Sequence, residues 1–146
     1  MDRQAIQNQL AIDEGKSLNV YRDSKELPTV GIGHLILPAD NLHIGDSITD
    51  AQCDAFFQSD LDTAIAGAKT IFPDLDNLPE PVQDSIVNMT FNMGVNRLSG
   101  FKHFIAAVNI GDWQEAADQL IQSAWYNQVG IRAKRIVAAV LSCINN

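Results

Sequence analysis

Two carboxyl residues near the start of the chain have the types and setting for acid–base chemistry. Glu14 lies in Asp13-Glu14-Gly15, where a stretch with helical spacing ends, and Asp23 follows a stretch with strand spacing. Successive helical residues point about 100° apart, so only one of Asp13 and Glu14 can face a given cavity. A carboxyl at a helix C-terminus sits at the negative end of the macrodipole, which disfavours its ionised form. Partial burial pushes its pKa the same way. A group so placed can stay protonated near neutral pH and act as a general acid. Asp23, in a polar turn, is expected to remain a carboxylate. Such an unlike pair suits hydrolysis of a glycosidic bond: one group protonates the leaving oxygen while the other activates water or stabilises the oxocarbenium ion. The chain holds 18 acidic residues, and the same two side chains also read as a solvated helix-end charge and an ordinary turn residue.

The elements that must position them follow from periodicity. Asp2 can cap a helix whose apolar positions Ile6 and Leu10 lie one turn apart, with Gly15 as its stop. Leu18 and Val20 alternate with Asn19 and Tyr21, and Val30 and Ile32 alternate with Thr29, Gly31 and Gly33. That period of two, on either side of the polar turn Asp23-Ser24-Lys25-Glu26, predicts a β-hairpin. A second turn over 38–45 leads out of the small sheet. Thr49-Asp50-Ala51-Gln52 is a capping box that opens a long helix to about Gly67. Pro79 and Pro81 mark another helix start, with Val82, Ile86, Met89 and Met93 on one stripe. Trp113, Ala116, Ala117, Leu120 and Ile121 form a further stripe. Ala133, Ile136, Val137, Val140, Leu141 and Ile144 form the last. The predicted class is α+β, a single domain over 1–146. Its N-terminal lobe, about 13–60, carries a short antiparallel sheet. A long helix connects it to a mainly helical C-terminal lobe, about 68–146, which also takes the first helix. A ligand cleft is expected between the lobes.

Composition narrows the function classes. The 146 residues are 46% hydrophobic and 19% charged, as in a globular protein. A net charge of −8 does not suit wrapping nucleic acid or lying on an anionic membrane. No apolar run approaches the roughly 20 residues that span a bilayer, so no membrane insertion is expected. The polar N-terminus lacks the apolar core of a signal peptide and reads as synthesis in a cytoplasm. Cys53 and Cys143 are expected to be small buried hydrophobes. His34, His43 and His103 show no metal-ligand spacing, and neither metal nor cofactor is expected.

The segment Glu14–Ile36 resembles the phage-type lysozymes, glycoside hydrolase family 24. Their signature runs roughly E-G-x-x-L-x-x-Y-x-D-x-x-G-x-x-T-x-G-x-G-H. This chain matches it at Glu14, Gly15, Leu18, Tyr21, Asp23, Thr29, Gly31, Gly33 and His34. The resemblance continues through Phe91–Gly94, Gly100-Phe101, Gly111–Ala117, Trp125–Gln128 and Arg132–Arg135, and so covers nearly the whole chain.

The resemblance implies peptidoglycan glycan strands as substrate. The bond cut would be the β-1,4 link between N-acetylmuramic acid and N-acetylglucosamine, with inversion. Glu14 would be the general acid, and Asp23 and Thr29 would hold the attacking water. An inverting pair stands roughly 6.5–9.5 Å apart. His34 would lie at the base of the cleft, in a structural or hydrogen-bonding role. Leu35 and Phe91 match cleft residues of the family. Phe104 replaces a small hydroxyl residue, which would reshape the groove, and Gln119 replaces an asparagine. Arg132 matches an arginine near the catalytic glutamate; its charge would lower the Glu14 pKa against the helix-end effect. Taken alone, Thr29 also reads as a β-branched strand residue and Arg132 as a helix-start charge.

The chain departs from the family pattern in three places. Glu26 stands where a glycine is usual, so the hairpin turn is expected to differ in type. The stretch from Leu35 to Thr49 is short. The acidic net charge steers poorly toward an anionic wall, although Lys102, Arg132, Lys134 and Arg135 offer a local basic patch. The expected protein is a monomer made in an infected bacterial cytoplasm that reaches the wall through a separate holin, or else a virion tail component. A lytic transglycosylase and a catalytically silent wall-binding virion protein are the alternative functions.

Overall fold

The computed structural model describes residues 1–145. Helix α1, Arg3–Glu14, buries Ile6 and Leu10. It stops where Gly15 turns to φ +71° and its N–H closes on the Ala11 carbonyl at 3.0 Å. Strands β1 (Ser17–Arg22) and β2 (Pro28–Gly31) pair antiparallel, and β3 (His34–Leu35) pairs on the far side of β2. The alternation that predicts one strand from Thr29 to Leu35 is broken. Gly31 and Gly33 take φ +68° and +66°, a left-handed bend open to glycine, and the chain folds back as β3. Val20, Val30, Ile48 and Cys53 form the core beneath this sheet, with Leu18, Ile32, Ile36, Leu42 and Phe56 packed around it.

The capping box forms as expected. Thr49 Oγ1 accepts from the Gln52 N–H at 3.1 Å, and Gln52 Oε1 accepts from the Thr49 N–H at 2.8 Å. Helix α2 then runs Asp50–Ile71, past the glycine where its end is predicted. Gly67 is a close-packing position instead: a Cβ there would lie 3.1 Å from that of Val95 and 3.4 Å from Thr90 Cγ2.

The remainder is helical: α3 (Glu80–Met93), α4 (Val95–Ser99), α5 (Lys102–Asn109), α6 (Trp113–Ile121), α7 (Ala124–Val129) and α8 (Ile131–Leu141). α8 packs on α3, α6 and α7, and α5 packs on α6. The predicted stripes are buried through Val82, Ile86, Met89, Ala116, Leu120, Ala133, Ile136 and Val140. They fray at their ends, where Ile121 and Ile144 are exposed. Trp125 is buried and its Nε1 donates to Asn92 Oδ1 at 2.8 Å. Both cysteines are free and buried.

The architecture is α+β. The chain divides into two compact units, Gln4–Thr63 on one side and Met1–Arg3 with the chain from Ala64 onward on the other. Helix α1 therefore belongs with the sheet, not with the helical lobe. Gln7 Nε2 ties it to Gln58 Oε1 of α2 at 2.9 Å. Among the described residues no helix is long and apolar enough to cross a membrane.

One carboxyl outside these motifs affects stability. Asp84 on α3 has Oδ1 buried with no hydrogen-bond partner among the described residues. Burial, then Glu80 and, against the N-terminal ammonium, Asp2 leave its pKa pushed up to about 6 from 3.8. The folded state thus holds this proton more tightly than the unfolded chain. The stabilisation is complete below about pH 4 and is lost as the pH rises to about 6. Asp84→Asn is expected to be more stable by about 1–2 kcal/mol at pH 7, after allowance for solvent screening, and unchanged at pH 3.5. Urea midpoints at the two pH values check this; equal shifts at both would rule it out.

Candidate active site

Glu14 is the last residue of α1, and the glycine after it reverses the chain into β1. Its carboxyl lies directly over Gly33. A Cβ on Gly33 would fall 2.7 Å from Glu14 Oε2 and 3.0 Å from Glu14 Cδ and Cγ. Residue 33 must therefore be glycine twice over, for its positive φ and for the room that Glu14 occupies.

Asp23 organises the turn between β1 and β2. Its Oδ1 accepts from the N–H groups of Lys25 at 2.8 Å and Leu27 at 2.9 Å. The turn uses Oδ1 for both bonds and leaves Oδ2 outside them. The Asp23 N–H donates to the Leu27 carbonyl at 2.9 Å, and the Glu26 N–H donates to the Asp23 carbonyl at 2.9 Å. Glu26 adopts φ +63°, so the glycine conformation is kept without the glycine. A non-glycine residue there carries roughly 1–2 kcal/mol of strain.

Thr29 shares the same anchor. Its Oγ1 donates to the Leu27 carbonyl at 2.9 Å, and the side chain is only 5% exposed. The backbone of one residue, Leu27, thus holds Asp23 through its N–H and Thr29 through its C=O. The Thr29 hydrogen is committed inward, and the oxygen keeps lone pairs with which to accept.

Register decides which side chains share a face. Thr29 pairs with Tyr21 on β1 and Leu35 on β3, so these three point the same way. Tyr21 and Leu35 are both part-exposed. Asp23 is anchored at Leu27, just before β2, and Glu14 rests on Gly33, just after it. The two carboxyls are thus anchored beyond opposite ends of β2. The Tyr21 phenol senses both: burial raises its pKa, and Glu14 and Asp23 add to the rise.

Val30 pairs with His34, which puts the imidazole on the other face. His34 is 6% exposed and stacks on Phe56 with ring centroids 4.0 Å apart. Its Nδ1 meets Asp60 Oδ2 at 2.7 Å and its Nε2 meets Asp40 Oδ2 at 2.8 Å. Burial lowers the imidazole pKa, but the bonds to Asp60 and Asp40 outweigh it and the net direction is up. Both ring nitrogens are occupied, so His34 braces β3 against α2 and the short 3-10 turn Pro38–Asp40.

The other four sequence candidates fall in the second unit. Phe91 is half-buried on α3. Arg132, in the first turn of α8, donates from Nε to Asn88 Oδ1 at 2.8 Å. Phe104 and Gln119 both line a hollow of about 320 Å³, with Phe101, Lys102, His103 and Ser123. The ring of Phe104 is 1% exposed and meets Phe72 edge-on, with centroids 6.4 Å apart at 84°. The side chain expected to reshape a groove is thus turned into the core. Gln119 Nε2 donates to Glu115 Oε1 at 2.7 Å.

The sequence did not point to Leu27, because it acts through its backbone N–H and C=O. Nor did it find Asp40 and Asp60, since no local pattern links them to His34.

The phage lysozyme family model matches residues 11–139, which include every residue placed above. The chain belongs to the phage lysozyme family. It is 31% identical over 93% of both chains to "Probable T4-type lysozyme 1" of Dictyostelium discoideum. It is 30% identical over 89% of its length to the pre-baseplate central spike protein Gp5 of Enterobacteria phage T4, covering 26% of that protein. The endolysin of Salmonella phage P22 is 26% identical, over 75% of this chain and 73% of its own.

Proposed function

We propose that this family member hydrolyses the β-1,4 bond between N-acetylmuramic acid and N-acetylglucosamine in peptidoglycan, by a single displacement with inversion. The observation that carries the reading is the Leu27 backbone, whose N–H binds a carboxylate and whose C=O binds a hydroxyl at one end of β2, while Glu14 is seated on Gly33 beyond the other. Glu14 gives its proton to the leaving glycosidic oxygen as the bond to the anomeric carbon breaks. A water on the opposite ring face points one hydrogen at Asp23 Oδ2 and the other at Thr29 Oγ1. Its oxygen bonds to the anomeric carbon, and the released proton passes to Asp23.

The proposed glycan contacts are Leu35, Phe91 and Gln119. His34, Phe104 and Arg132 enter as supports: a brace behind the sheet, a core ring, and a guanidinium tied to α3. The protein acts as a monomer. The similarity to the P22 endolysin favours synthesis in an infected cell's cytoplasm with holin-dependent access to the wall. The similarity to a central spike protein favours the virion tail as the second reading.

The test is product analysis on purified peptidoglycan. Hydrolysis with inversion should release reducing N-acetylmuramic acid ends that appear first as the α-anomer by NMR. Anhydro ends would show a lytic transglycosylase instead, and no new ends at all would show a wall-binding protein.

A further inference from the structure

Tyr21 is a signature residue that this mechanism does not use, and its place in the sheet gives it work. It is the cross-strand partner of Thr29, so those two side chains share a face, and its phenol feels the charges of both Glu14 and Asp23. The phenol is 36% exposed there. A water molecule has two hydrogens and two lone pairs. Thr29 can only accept, because its hydrogen is held by the Leu27 carbonyl at 2.9 Å, and an ionised Asp23 can only accept. Between them they take both hydrogens. One lone pair attacks the anomeric carbon, and the other is open to a donor.

We propose that the Tyr21 hydroxyl is that donor, the third partner of the attacking water, fixing which lone pair faces the sugar. The inference rests on the hydrolase reading above. Tyr21 keeps its proton throughout, so the balance of the displacement is unchanged. Burial, and after it the charges of Glu14 and Asp23, keep the phenol neutral well above ordinary working pH.

Tyr21→Phe keeps the ring and removes only the donor. It is expected to lower kcat about tenfold, the size of one modest hydrogen bond, with KM and melting temperature unchanged. Tyr21→Leu, which also removes the ring, should melt lower but lose no more of kcat than Phe does. Full kcat in Tyr21→Phe overturns the inference, as does a raised KM with kcat intact, which would make the hydroxyl a glycan contact. A kcat that falls only in step with melting temperature across both variants also overturns it, leaving a packing role. With Glu14→Gln in the same assay the two levels separate. An active wild type, an inactive Glu14→Gln and an unaffected Tyr21→Phe defeat this inference alone. An inactive wild type defeats the hydrolase reading and this inference with it.

Discussion

Glu14→Gln is expected to reduce the rate of peptidoglycan hydrolysis by about 10²–10⁴-fold, the range spanned by removal of a general acid. The substitution is close to isosteric, so the amide can occupy the same space over Gly33. What it lacks is a proton to give to the leaving oxygen. Folding should not suffer, because the amide has nearly the same size and shape as the carboxyl it replaces. The paired measurement is initial rate of reducing-end release and melting temperature. Wild-type rates from a folded Glu14→Gln would remove the proposed acid and with it the mechanism.

Gly33→Ala should damage the same step from a different side. The added Cβ would sit 2.7 Å from Glu14 Oε2 and 3.0 Å from its Cγ and Cδ, so the carboxyl must shift. A displacement of about 1 Å at a reacting group can cost 10²-fold in rate. The backbone adds its own penalty, since φ is +66° at this position and an L side chain there costs about 1–2 kcal/mol. Gly15→Ala separates the two effects. Gly15 also has positive φ, +71°, but a Cβ there would meet nothing within 4 Å. That variant should lose similar stability and keep its activity. In the double variant Gly33→Ala/Glu14→Gln, the rate should be no lower than in Glu14→Gln alone, because both remove one interaction. Equal activity losses in Gly15→Ala and Gly33→Ala would show that backbone strain, and not the position of the acid, is responsible.

Much of the fold is legible along the chain because the interactions that form it are local. Ile6 and Leu10 lie one turn apart, Thr49 and Gln52 cap reciprocally within one turn, and the alternation across Leu18–Tyr21 matches the pleat. Where the reading fails, a distant partner is responsible. Gly67 looks like a helix stop but is passed through, since Val95 and Thr90 pack where its Cβ would be. The strand predicted from Thr29 to Leu35 breaks at two glycines, one of which makes room for a side chain from α1.

The amino-acid order by itself determined the α+β class, the hairpin and the presence of an acid, a carboxylate and a hydroxyl at family-like spacing. Tertiary structure alone decided that the backbone of Leu27 holds both Asp23 and Thr29 and that Gly33 seats Glu14. It also turned His34 to the opposite face, between Asp40 and Asp60. The reason is physical: periodicity records which side of an element is apolar. It carries no information about which backbone group or distant carboxylate a polar atom meets once those sides are packed.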